Sequence, residues 1–185
     1  MSFIVVYDAN VLYPSTLRDL LIRIAQAGLV QAKWTDRILD EMFDSLMANR
    51  PDLKPAALAR TRELMNAAVR DCLITGYEPV IAGLDLPDAD DRHVVAAAIR
   101  AHAQVIVTAN TKHFPATSLA LWDVGSQAPG QLRAGSDRPR RRCRSRRRAH
   151  NRLAWRNPPG SPREVLERLE ASGLPRSAHA LARLI

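Results

Sequence analysis

The chain is poor in cysteine: 185 residues hold two, Cys72 and Cys143, too few for a disulfide framework. It also lacks a long apolar run. Phe3 to Tyr7 is a short apolar stretch with no basic region before it and no cleavage site after it, which excludes a signal peptide or membrane span and predicts a soluble, cytoplasmic protein. Internal repeats are missing, which excludes a repeat solenoid. Acidic residues are scarce in the C-terminal third, where only Asp137 offsets the positive charge between Val124 and Arg163. The net charge of +8 therefore has to be divided: residues 1–123 carry 12 Lys+Arg against 15 Asp+Glu, a net of −3, and residues 124–185 carry 15 against 4, a net of +11. Overall basicity is thus no evidence that the folded part binds nucleic acid.

The chemistry concentrates in residues 86–110. Asp88, Asp90 and Asp91 place three carboxylates in four residues, followed by Val94, Val95, Ala98, Ile99 and Ala101 at helical spacing with no Gly or Pro between them. The acids then sit at a helix N-terminus, where the macrodipole favours negative charge. Val105-Ile106-Val107 reads as a buried parallel strand closed by Thr108-Ala109-Asn110, and ligands of such βαβ units bind at the carboxyl ends of the strands.

Upstream, Phe3 to Tyr7 is a strand ending in Asp8-Ala9-Asn10. A helix capped by Ser15 or Thr16 follows, with Leu17, Leu20, Leu21 and Ile24 inward and Gly28 as its stop. Leu29 to Trp34 is extended. Thr35 or Asp36 caps the next helix, which buries Ile38, Leu39, Met42, Phe43 and Leu46 and carries Glu41. Pro55 opens a third, with Leu58, Leu64, Met65 and Val69 inward. Cys72 to Val80 reads as a strand and turn, and Leu119 to Val124 as the last strand. This order predicts an α/β fold, a parallel sheet with helices on its faces.

Asp8, Glu41, Asp91 and Asn110 can all reach one edge of that sheet. Crowded carboxylates repel one another unless a cation neutralises them, and hard oxygen donors call for Mg²⁺ or Mn²⁺, suited to phosphodiester hydrolysis. Singly, each residue has an ordinary structural explanation as a cap, a turn former or a solvated surface group; the order and spacing together carry the reading. Asp88 and Asp90 read first as caps, with one available to assist a metal, and Asn10 and Thr108 as hydrogen-bonding support for the ligands. His93 and His113 read as ordinary polar residues, since nothing pairs them at metal-site spacing. A phosphatase-like fold with Asp8 as nucleophile would need a second Asp where Asn10 stands.

The strand ending in Asp8, the WTDRILDE run ending at Glu41, DADDRHVVAAA around Asp91 and VIVTAN ending at Asn110 resemble the PIN domain, the fold of toxin ribonucleases from bacterial toxin–antitoxin pairs. Arg156-Asn157-Pro158-Pro159 matches an RNPP-like segment of one bacterial branch. The resemblance covers residues 3 to 124 and about 154 to 184. It implies a PIN-like three-layer fold and a metal-dependent endoribonuclease, with Asp8, Glu41 and Asp91 as the acidic Mg²⁺ or Mn²⁺ ligands and catalytic residues. It further implies products with 5′-phosphate and 3′-hydroxyl ends, RNA as substrate, a cognate antitoxin protein as partner, a homodimer as an allowed state, and no membrane. Many PIN domains have an Asp where this chain has Asn110, whose carbonyl oxygen can still coordinate or position water.

The domain expectation is a nuclease unit over 1–124, an arginine-rich disordered segment over 125–154, and a short helical segment over 155–185. Arg fills 8 of the 11 positions from Arg138 to Arg148. That run can grip RNA phosphates, act as a solvated linker, or record a compensated pair of frameshifts, the reading favoured here. The alternative to an enzyme is a catalytically silent module that binds RNA through this segment.

Overall fold

The computed structural model describes residues 3–131 together with 155–156 and 159–160. Four parallel strands form the central sheet: β1 (Ile4–Tyr7), β2 (Gln31–Lys33), β3 (Val105–Val107) and β4 (Gly125–Gln127), in the order β2-β1-β3-β4. The two strands with continuous apolar sequences, β1 and β3, are the interior ones, as burial on both faces requires. Val5, Val6 and Tyr7 lie opposite Val105, Ile106 and Val107. Asp8 and Thr108, the next residues along, therefore leave the same edge of the sheet side by side.

Helices α1 (Ala9–Leu12), α2 (Ser15–Gln26), α3 (Asp36–Asn49), α4 (Pro55–Ala68), α5 (Glu78–Ile81), α6 (Arg92–Arg100) and α7 (Ala116–Leu119) flank the sheet, bearing out the α/β expectation. Thr35 caps α3 by accepting from the Ile38 amide at 3.0 Å, and Asp36 adds a negative charge in the first turn. Leu17, Leu20 and Leu21 of α2, with Ile38, Leu39, Met42 and Phe43 of α3, close one side of the core, where the Tyr7 and Trp34 rings stack at 6.4 Å. Val94 to Ala98 of α6 are wholly buried, small side chains that let this helix lie close to β1 and β3. Gly28 ends α2 at φ +72°, a left-handed conformation that favours glycine. Among the described residues no helix is long and apolar enough to cross a membrane.

Several expectations are corrected. Pro14, not Ser15 or Thr16, occupies the α2 N-cap, with Ser15 as the first helical residue. Leu64 is exposed, because α4 turns inward along Leu58 and Met65, seven residues apart, and its neighbour in sequence points about 100° away. Of the expected strand from Cys72, only a single bridge between Leu73 and Trp34 forms, and Glu78–Ile81 is helical with Pro79 in its first turn. Leu119 to Val124 is not a strand. It closes α7 and a 3₁₀ turn at Ala120–Trp122, and the fourth strand is the polar Gly125–Gln127, inside the stretch expected to be irregular. Trp155–Arg156 (β5) and Pro159–Gly160 (β6) form an antiparallel pair bracketing Asn157 and Pro158. The helical segment expected over 155–185 thus opens on strands in its described residues, and its remainder, like Arg138 to Arg148, lies outside the described residues.

Candidate functional site

At the carboxyl edge of the sheet, Asp8, Asn10, Glu41, Asp88, Asp91 and Asn110 line one cleft of about 420 Å³, together with His113. Its sheet side is a closed set of neutral hydrogen bonds around one carboxylate. Asp8 is 4% exposed; its Oδ1 accepts from the Ala9 amide at 2.7 Å, and its Oδ2 accepts from the Asn10 amide group at 2.6 Å and the Thr108 hydroxyl at 2.7 Å. The buried Thr108 hydroxyl in turn accepts from Asn10 Nδ2 at 2.9 Å and from the Asn110 backbone amide at 3.0 Å. Asn10 Oδ1 accepts from the Ala109 amide at 2.9 Å, so both Asn10 and Thr108 are fixed between the ends of β1 and β3. Burial pushes the Asp8 carboxyl above its usual range, a rise that the Thr108 and Ala9 hydrogen bonds oppose and the charges of Asp91 and Glu41 reinforce.

The helical side meets its carboxylate with an imidazole and a guanidinium. Glu41 Oε1 lies 2.9 Å from Nε2 of His93 on α6 and 3.3 Å from Nε of Arg37, one turn back on α3. Burial alone would raise the Glu41 carboxyl, but His93 and Arg37 outweigh it and hold it below the ordinary range. His93, expected to be an ordinary polar residue, is 1% exposed, and its Nδ1 has no partner among the described residues. Asp91 stands at the N-cap of α6, yet its side chain makes no capping hydrogen bond. Its Oδ2 instead meets His113 Nδ1 at 2.7 Å, with Asp88 Oδ2 3.3 Å from the same nitrogen. Asp88 Oδ1 also accepts from the Asp90 amide at 3.0 Å, an Asx turn ahead of α6 and not the helix cap expected of it. Asp90 is exposed and does not line the cleft.

Both histidines correct the sequence reading. His113 and the two aspartates offer donor atoms within 4.8 Å of one another. His93 meets Glu41 across 52 positions and His113 meets Asp91 across 22, so no local spacing announces either pair. The donors suit a hard divalent cation: carboxylate oxygens predominate, and among the described residues the buried Asp8 has only neutral partners.

A family model described as "PIN domain" matches residues 4–112. A second, "VapC50 C-terminal domain", matches residues 141–183, beginning within the arginine-rich stretch. "Putative ribonuclease VapC50" of Mycobacterium tuberculosis is 44% identical over 54 residues, which cover 29% of this chain and 31% of that protein's length. No solved structure matches significantly.

Proposed function

Because the chain belongs to the PIN domain family, we propose that it is a Mg²⁺- or Mn²⁺-dependent endoribonuclease, acting as the toxin of a toxin–antitoxin pair with a cognate antitoxin protein. One observation carries the reading: four carboxylates, from Asp8, Glu41, Asp88 and Asp91, line one cleft, and the most buried of them has only neutral hydrogen-bond partners among the described residues. Asp8, Glu41 and Asp91 hold the metal, and Asp88 assists. A divalent ion there supplies a Lewis acid that acidifies water and neutralises phosphate charge.

The protein's own groups do the positioning. Thr108 and Asn10 both donate to Asp8 Oδ2, fixing the carboxylate plane and leaving Oδ1 with only the Ala9 amide. His93 and Arg37 both hold Glu41 through Oε1, fixing the carboxylate at the cleft wall. Asn110, held through its backbone amide, presents a neutral side chain where a further carboxylate would add repulsion.

Incubation of the pure full chain with structured RNAs, with and without EDTA, tests the proposal. Metal-dependent fragments with 5′-phosphate ends are expected. Metal-independent cleavage, or cleavage by Asp8→Asn equal to wild type, overturns it. Deleting 132–154, which spares β4, separates enzyme from binding module: the enzyme retains metal-dependent cleavage, whereas a silent module loses all RNA binding.

A further inference from the structure

We propose that His113 is a nitrogen ligand of the cleft's cation, completing with Asp88 and Asp91 a mixed nitrogen–oxygen position that takes Mn²⁺ in preference to Mg²⁺. The proposal rests on the metal-dependent reading above and adds what that reading leaves open, the donor set and the choice of ion.

Geometry comes first. Around an octahedral ion with bonds of about 2.1 Å, neighbouring donors stand roughly 3 Å apart. His113 Nδ1 lies 2.7 Å from Asp91 Oδ2 and 3.3 Å from Asp88 Oδ2, on either side of that separation. Both separations are compatible with donors of one coordination shell. All three donor atoms lie within 4.8 Å of one another.

A plain ion pair explains the arrangement less well. His113 and Asp88 are each more than a third exposed, and pairs so placed contribute little to stability. Asp91, at the start of α6, has helical dihedrals and makes no side-chain cap, so its carboxylate is free to face His113. The imidazole is also held in place: His113 ends a 3₁₀ turn (Thr111–His113), and the next residue, Phe114, is buried, with its carbonyl accepting from Ser126 Oγ at 2.9 Å. Independently, Asp8 in the same cleft is a buried carboxylate whose partners are all neutral, which marks the cleft as a place for a cation.

The chemistry of selection then follows from the donor. Mg²⁺ demands oxygen ligands and keeps its waters, whereas imidazole nitrogen favours first-row transition ions. Among those, Mn²⁺ is the one that the surrounding carboxylates also suit.

The experiment uses the full chain and the metal alone. Mn²⁺-loaded wild type is examined by electron spin-echo spectroscopy for coupling to imidazole ¹⁴N, and Mn²⁺ and Mg²⁺ affinities are measured by calorimetry for wild type, His113→Gln and His113→Asp. Wild type is expected to show the nitrogen coupling. His113→Gln is expected to lose it, and its Mn²⁺ affinity to fall about ten-fold or more; His113→Asp is expected to bind Mg²⁺ and Mn²⁺ more nearly alike. Mn²⁺ bound by wild type without nitrogen coupling, or coupling that persists in His113→Gln, overturns the role of His113 and leaves the nuclease reading standing. If wild type binds no divalent ion, both fall. The wild-type spectrum decides the point even where a variant fails to fold.

Discussion

The two sides of the cleft solve the problem of a buried negative charge differently. On the sheet side, Asp8 is surrounded by an amide, a carboxamide and a hydroxyl, all neutral, and its carboxyl is pushed up. On the helical side, Glu41 meets a histidine and an arginine, and its carboxyl is held down. Among the described residues the sheet side offers Asp8 only neutral partners, whereas the half-exposed helical side gives Glu41 an imidazole and the Arg37 guanidinium. A site that needs an external ion is best preorganised where the chain withholds its own, since no internal counter-charge then has to be displaced.

The largest effect expected on breaking this contrast is at Asp8. Asp8→Asn should lower RNA cleavage on the order of 10³-fold in a timed assay. It should also abolish the stabilisation of wild type by divalent ion, about 2.7 kcal/mol at a hundred times the dissociation constant, read as a shift in melting temperature. The two carboxylates predict opposite pH signs. The raised Asp8 value contributes stability below its ordinary pKa that is lost as pH rises through the folded value. The depressed Glu41 value contributes stability above its ordinary pKa that is lost as pH falls through the folded value.

Next in size is Thr108→Val, which keeps the shape of a fully buried side chain and removes one donor and one acceptor. Asp8, Asn10 and the Asn110 amide each lose a partner, and urea unfolding should show a loss of about 1–3 kcal/mol. A smaller change is expected of His93→Leu on the opposite side: the acid limb of the stability profile should move to higher pH as Glu41 returns towards its ordinary range. Arg37→Ala should be smallest, about 0.5 kcal/mol or less in the same measurement, because this i,i+4 pair is exposed on both partners.

Legibility in the sequence followed the same divide. Asp8 and Thr108 could be placed because each follows a run of three or four apolar residues that must be an interior strand, with Asn110 two residues beyond, and strand ends of a parallel sheet share an edge. Glu41 was legible through the apolar period of α3. The partners of the helical side were not: His93 looks like any polar residue in an alanine-rich helix, and only the tertiary fold brings it onto Glu41, 52 positions away. β4 escaped notice because Gly-Ser-Gln has no strand signature, and it is held by backbone ladder bonds to β3 and by Ser126 Oγ on the Phe114 carbonyl. Leu119 to Val124 misled by composition, because the apolar stretch begins inside a helical turn started at Pro115.

The order of strands in the sheet has a kinetic consequence. The Asp8–Thr108 hydrogen bond joins residues one hundred positions apart, and β1 meets β3 only across that span. Parallel pairings this distant are slow to form, since the entropy of closing the intervening loop is lost before the contacts return it. During synthesis Asp8 emerges early, but Thr108, the Asn110 amide and Asp91 follow nearly the whole described fold later. A nascent chain that stops short of β3 therefore has no assembled cleft, because Asp8 lacks the Thr108 hydroxyl that holds it.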